Sequence, residues 1–208
     1  MPTIKRLADS CLLVTTDTGT TLLDPGFFAW DDDSVDLGSI GDVQRVLITH
    51  EHGDHVKPEF VRWLVDRGDD VVVFANHAVA DLLAPHEIEV VIDELSGVDF
   101  EDVLHELTPV GDTPPNRSFT VEGVLTHPGD SFQPTVTAPV LALPLLTPFG
   151  SMVKAFEFAR RLAPQQIVPI HDFYLSESGR GWVTGMAKRV LAPDIDVVPL
   201  DWGESYST

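Results

Sequence analysis

The apolar positions of this chain fall into two rhythms. In the first fifty residues short apolar runs recur without helical spacing, and residues 3–7, 11–15, 20–24 and 43–48 each read as a strand. Turn-forming stretches, Asp17-Thr18-Gly19 and Asp24-Pro25-Gly26, separate them, so this part reads as an antiparallel meander. From residue 57 the period lengthens. Phe60, Val61, Leu64 and Val65 share one helical face within 57–67, residues 70–74 follow as a buried strand, and Asn76 is placed to cap a short helix over 77–83. Further strands are expected at 89–92, 103–107, 119–125 and 139–143. A helix over 151–162 puts Met152, Ala155, Phe156, Ala159 and Leu162 on one face, and a strand at 166–170, a helix at 179–191 and a strand at 195–200 close the chain. Strands that first run alone and later alternate with helices predict a mixed sheet assembly covered by helices. No repeat, low-complexity tract or long linker interrupts it.

Composition narrows the picture. With 208 residues, 43% of them hydrophobic, the chain is long enough to bury a sizeable core, and one domain over 1–208 is expected. The opening MPTIKRLADSCLLV has no apolar run longer than residues 11–14, too short for an export signal or a membrane span. The single cysteine, Cys11, excludes an internal disulfide and, set beside Leu12, Leu13 and Val14, reads as a buried thiol rather than a nucleophile. A cytoplasmic location and no membrane partner are therefore expected. The net charge of −20, from 33 acids against 13 bases, repels phosphate backbones, and the basic pairs Arg160-Arg161 and Lys188-Arg189 form no patch. Nucleic acid is not an expected partner; a small molecule is. The acidity reads as a soluble, salt-tolerant surface, and the oligomeric state is left open.

One stretch carries chemistry. In 49-THEHGDHVKP-58, His50, Glu51, His52, Asp54 and His55 fall within six positions, directly after Val46-Leu47-Ile48. Residues two apart on an extended backbone point the same way, so His50 and His52 can converge on one ion. A tight turn at Gly53 lets Asp54 and His55 reach a second. Imidazole and carboxylate are what zinc and similar ions bind, at about 2.0–2.2 Å.

The same stretch resembles the signature motif of the metallo-β-lactamase fold superfamily, and other segments agree in order and spacing. Leu22-Leu23-Asp24-Pro25-Gly26 resembles that family's strand ending in Asp-Pro-Gly, whose acid buttresses the metal loop. The segment 126-THPGDS-131 resembles its Gly-Asp segment, and 168-VPIHDF-173 its last ligand strand, so that the matches cover most of the chain. The resemblance implies an α/β fold, a four-layer αβ/βα sandwich of two mixed β-sheets with helices on the outer faces. It implies two divalent ions, Zn2+ foremost, with Mn2+ or Fe2+ as alternatives. One site would be His50, His52 and a further histidine, the other Asp54, His55 and His171, with Asp130 bridging. Asp54 and Asp130 are the acids expected to be catalytic. For the further histidine, His77 and His86 belong to an outer helix and read as surface. His105, which precedes Asp130 by 25 residues, is the expected ligand, with His127 beside Asp24 as an outer partner that orients ligand imidazoles. Phe27, Phe28 and Trp30 are candidates for an apolar pocket wall.

Within the superfamily, the short chain, the His-Pro-Gly-Asp variant and the Val-Pro-Ile-His ending look most like small metal-dependent hydrolases related to L-ascorbate phosphate lactonase. Many of those carry His-Ser/Ala-Cys near the start, where this chain has Asp9-Ser10-Cys11. The expected function is a hydrolase in which solvent-derived hydroxide attacks a small ester, lactone or phosphoester. A mononuclear iron oxygenase or redox enzyme on the same fold, and a non-catalytic metal-stabilised binding domain, are the alternatives. Ser151-Met152-Val153-Lys154 matches a serine β-lactamase pattern but lacks the partner segments and reads as a helix start. Asn116-Arg117-Ser118 fits a glycosylation acceptor by letter only.

Overall fold

Neighbouring residues of a strand point to opposite faces, so an unbroken apolar run needs a core on each side of its sheet. A computed structural model, which describes residues 1–208 apart from 34, 69, 109–112 and 148, supplies both. The first sheet holds β1 (Thr3–Ala8), β2 (Cys11–Thr16), β3 (Gly19–Leu23), β4 (Arg45–Ile48), β5 (Val72–Ala75) and β6 (Val90–Val91). The second holds β7 (Val98–Leu104), β8 (Pro115–Val121), β9 (Leu125–His127), β10 (Val140–Pro144), β11 (Gln166–Ile170) and β12 (Asp196–Val197). A last strand, β13 (Ser205–Ser207), returns to the first sheet beside β1, giving the orders β13-β1-β2-β3-β4-β5-β6 and β12-β11-β10-β9-β8-β7.

Leu12, Val14, Leu23, Leu47 and Phe74 of the first sheet meet Phe119, Val121, Ala142, Val168 and Ile170 of the second in a central core. Their neighbours Leu13, Leu22, Val46, Ile48 and Val73 face outward, against Phe60, Val61 and Leu64 of α2 (Pro58–Arg67) and Val79 and Leu83 of α3 (His77–Leu83). On the far side Leu141, Leu143 and Ile167 pack on Ala155, Phe156 and Ala159 of α4 (Met152–Leu162) and Val183, Ala187 and Leu191 of α5 (Glu177–Leu191). The result is the expected four-layer αβ/βα sandwich. Each fully buried aliphatic side chain contributes about 1.5–3 kcal/mol, so the central core alone is a large share of the stability.

The helices begin where side chains can satisfy free N–H groups. Asn76 Oδ1 accepts from Val79 N at 3.0 Å, Ser151 Oγ from Lys154 N at 3.3 Å and Ser176 Oγ from Gly179 N at 3.2 Å. The Ser-x-x-Lys segment is thus a helix cap.

Several elements depart from the sequence reading. The first four strands are not one meander: β3 and β4 pair in parallel, Thr21 opposite Arg45, across a connection that holds a short helix α1 (Phe27–Trp30) and a 3-10 turn over Leu37–Ile40. The strand expected at 103–107 is β7, which starts earlier and ends before His105. Its acids Asp99, Glu101 and Asp102 hide the apolar rhythm because this edge strand is exposed or half-buried at every position after Val98. The run 119–125 is two strands, since Glu122 and Gly123 both take positive φ, 50° and 63°, and Val124 N closes a tight turn on Val121 O at 2.8 Å. The strand at 195–200 shrinks to β12, and β13 was not foreseen.

Candidate metal centre

Within each sheet, β1, β3 and β4, and likewise β7, β9, β10 and β11, run in one direction. Sites in open α/β sheets form where strands end at their carboxyl side. Asp9 follows β1, Asp24 follows β3, His50 to His55 follow β4, His105 follows β7, Asp130 follows β9 and His171 follows β11.

These ends bring together two groups of potential ligand atoms, each within 4.8 Å of one another: His50, His52, His105 and Asp130, and Asp54, His55 and His171. Asp130 faces both. Its Oδ2 lies 3.3 Å from His105 Nε2 and 4.0 Å from His50 Nε2, while its Oδ1 lies 2.8 Å from His171 Nε2 and 3.2 Å from His55 Nε2. The other contacts are Asp54 Oδ2 to His55 Nε2 at 3.8 Å and His52 Nδ1 to His50 Nε2 at 3.0 Å. His50, His55, His105, Asp130 and His171 are buried, whereas His52 and Asp54 are half-buried and open the centre to solvent.

The donor set fits divalent ions. Nε2 of His55, His105 and His171 and Oδ1 of Asp130 are buried without an aligned hydrogen-bond partner. Buried polar atoms are normally satisfied, and four orphans aimed at one spot are what ligands without their ion look like. The cluster could bind metal on that ground.

The opposite edge of three of these imidazoles is engaged. His55 Nδ1 lies 2.6 Å from Asp24 Oδ2, His50 Nδ1 lies 3.0 Å from Thr49 Oγ1, and His105 Nδ1 lies 2.5 Å from the carbonyl of Glu106. Partners there set the tautomer that leaves Nε2 free to coordinate. Asp24 also accepts from Thr49 N at 2.8 Å and Thr49 Oγ1 at 2.9 Å, which ties it to the start of the motif loop. His127 stands apart from both ligand groups. Its Nε2 meets the carbonyl of Ser10 at 2.9 Å and lies 3.6 Å from Asp24 Oδ2, and its Nδ1 accepts from Gly129 N at 3.1 Å. It braces the turn before Asp130. His77 and His86 are exposed on the outer layer.

Charge and burial oppose one another throughout the cluster. Burial pushes the Asp130 carboxyl up, but His171 and His55 outweigh it and hold the group well below the usual carboxylate range. Burial pushes His171 down, yet Asp130 and Asp9 raise it to about 10. His50 goes the other way, lowered well below the ordinary imidazole value by burial and then by His55. Burial likewise raises the Cys11 thiol well above its ordinary value, in keeping with an inert residue.

Three supports were not apparent in the sequence. Asn116 on β8 is buried, and its Oδ1 accepts from Asp130 N at 3.0 Å while Nδ2 donates to the carbonyl of Pro128 at 2.9 Å. Gly26 passes so close to the motif loop that a Cβ there would lie 1.8 Å from the carbonyl oxygen of Asp54, so the Asp-Pro-Gly segment needs its glycine. Phe149 sets its ring 5.5 Å from that of His105 and 5.9 Å from that of His171, walling the centre. Phe28 packs on Phe173 at 4.2 Å and Phe27 lies against Gly53, both near the motif loop. Trp30 does not join that wall. It sits 5.3 Å from Phe60 and 6.0 Å from Trp63, within the core under α2.

Two mixed sheets between helical layers, with histidines and aspartates at the strand ends, define the metallo-β-lactamase fold, and this chain has that fold. Among solved structures it resembles a candidate metal-dependent hydrolase from Parabacteroides distasonis, with a TM-score of 0.72 at 22% identity over 96% of this chain and 94% of that one. It also resembles Igni18, a metallo hydrolase from the archaeon Ignicoccus hospitalis, with a TM-score of 0.69 at 16% identity over 100% and 99% of the two chains. The metallo-β-lactamase fold protein YhfI from Bacillus subtilis gives 0.67 at 13% identity over 99% of each chain. By sequence the chain is 29% identical over 211 residues to Protein Rv0786c of Mycobacterium tuberculosis, strain ATCC 25618 / H37Rv, covering 94% of this chain and 96% of the relative. No family model matches the sequence.

Proposed function

We propose that this protein is a metal-dependent hydrolase of small esters, lactones or phosphoesters. The observation that carries the reading is the pair of ligand groups meeting at one doubly facing carboxylate, with buried nitrogens and an oxygen left unpartnered there. His50, His52 and His105 would hold one ion and Asp54, His55 and His171 the other, with Asp130 between them. Zinc suits this mixture of imidazole and carboxylate, and manganese or iron(II) could take its place. When bound, such a pair of ions lowers the pKa of a shared water from 15.7 toward ~7 and polarises the carbonyl or phosphoryl group under attack.

The chain's own part is to place and neutralise charge. Asp24 and Thr49 hold His55 and His50 from behind, so the ligand nitrogens keep their aim without reorganising during the reaction. The Asp54 side chain, 26% exposed where the ligand histidines His50, His55, His105 and His171 are sealed, would take up a proton at its carboxylate and pass it to solvent. Phe149 limits water on one side of the centre. Relatives in shape described as metal-dependent hydrolases support the same class.

The test is a panel of lactones, carboxylic esters and phosphodiesters assayed with the purified protein before and after chelation, together with elemental analysis. About two zinc or manganese ions per chain and turnover abolished by chelation are expected. Activity that survives full metal removal overturns the reading, and a single iron per chain replaces it with an oxygenase or redox enzyme.

A further inference from the structure

Asp9 lies outside both ligand groups, yet it is among the most thoroughly buried acids of the chain. Its backbone stands at a φ of 45°, a left-handed conformation that Asp and Asn tolerate better than most residues. One carboxylate oxygen, Oδ1, accepts from Phe173 N at 3.2 Å. The other, Oδ2, is buried without an aligned hydrogen bond and faces His171 Nδ1 at 3.1 Å. A single buried guanidinium grips both sides of this contact. Arg6 Nε donates to the carbonyl of Asp9 at 2.9 Å, and its terminal nitrogens hold the carboxylate of Asp172, next to His171, at 2.6 and 3.1 Å. A buried carboxylate is costly unless something positive compensates it, and here the only unpaired oxygen is turned on a candidate metal ligand.

We propose that Asp9 is a positioning residue for the second ion: it accepts the Nδ1 proton of His171, fixes that tautomer and aims Nε2 at the position shared with Asp54 and His55. This rests on the metal-centre reading above and deepens it. With Asp24 behind His55 and Asp9 behind His171, each histidine of the second group is backed by a carboxylate. His50 and His105 of the first group are backed only by a hydroxyl and a carbonyl.

The decisive variant is Asp9→Asn. Asparagine keeps the shape, tolerates the φ and still accepts from Phe173 N. Its amide N–H would face His171 Nδ1, favouring the tautomer whose Nε2 carries the proton and cannot coordinate. Asp9→Gly, which also suits the φ, is made alongside in case the first fails to fold. Cobalt(II) is titrated into each metal-free protein, its visible spectrum and calorimetric uptake are followed, and the melting temperature of the metal-free forms is measured. The expected result is one binding step weakened about 10–100-fold, with the other within twofold and the metal-free melting temperature little changed. Two steps unchanged overturn the inference. Two steps weakened equally, with a lowered metal-free melting temperature, also overturn it and leave Asp9 a structural role. Wild-type protein that takes up no cobalt overturns the metal-centre reading, and this inference with it.

Discussion

Asp24, like Asp9 and His171, stands just past the end of a strand with a positive φ, here 49°. A non-glycine residue held in such a conformation costs about 1–3 kcal/mol and persists where its surroundings over-determine it. At Asp24 those surroundings are Thr49 and His55, both fully buried. Asp24→Ala leaves Thr49 N and His55 Nδ1 without an acceptor. It should lower stability by about 2 kcal/mol and weaken metal binding about 10–100-fold, measured by denaturant unfolding of the metal-free protein and by metal titration. Unaltered metal affinity in a folded Asp24→Ala protein would contradict the buttressing role. How far such residues could be read beforehand depends on distance along the chain. His50 to His55 announce themselves because a chain with 8 histidines places three within six positions. Asp9 and Asn116 do not, because single acids and amides are common on any surface. Only the fold sets Asp9 beside a residue 162 positions away.

Among elements, β8 has the widest reach. It carries Asn116 to the Asp130 loop and Arg117 across to the other sheet, where the guanidinium donates to the carbonyls of Ala75 at 3.1 Å and Ile92 at 2.6 Å. The Asn116 side chain satisfies two backbone groups of the turn that presents Asp130. Asn116→Ala should cost about 1–2 kcal/mol of stability, read from denaturant midpoints, and reduce turnover on any responsive substrate by more than that loss explains. A variant that turns over normally would remove Asn116 from the support of the centre. Helices and doubly buried strands were legible, since α2 and α4 show their apolar faces and β4, β10 and β11 their consecutive apolar residues. The edge strand β7 was misplaced because its solvent-facing acids mimic a loop. The break at Glu122-Gly123 went unseen because a turn of two left-handed residues more often shows Asn or Asp before the glycine. The helix α1 is a single turn, too short for any period.

For the molecule as a whole, protons and the proposed metal ions would compete for one centre. In the metal-free protein His171 is raised from 6.5 to about 10, chiefly by Asp130 and Asp9 acting against burial. A histidine whose folded pKa lies above its unfolded value contributes stability fully below the unfolded value and loses it as pH rises through the folded one. Between pH 6.5 and 10 the metal-free protein should therefore lose melting temperature. The loaded protein should lose less, because an ion takes over the proton's role beside Asp130. Parallel thermal scans with and without chelator decide this, and equal slopes would refute it. The surface acts separately: with a net charge of −20, added sodium chloride should hold or raise the melting temperature by screening acid against acid. A steady fall with salt would count against that. At this scale the layers were legible through the resemblance of the motifs, whereas the parallel pairing of β3 with β4 depends on how the connection between them, residues 24–44, folds back.

The ligand loops come from both sheets. His50 and His52 meet His105 and Asp130, and Asp54 and His55 meet His171, so neither half of the chain holds a complete set. On the proposed reading, loading the centre and clamping the two halves together would be a single event. Stripping the ions should loosen that rim first, so that protease nicks in chelated protein gather in the loops after β4 and β11, well away from the buried middle of the sandwich.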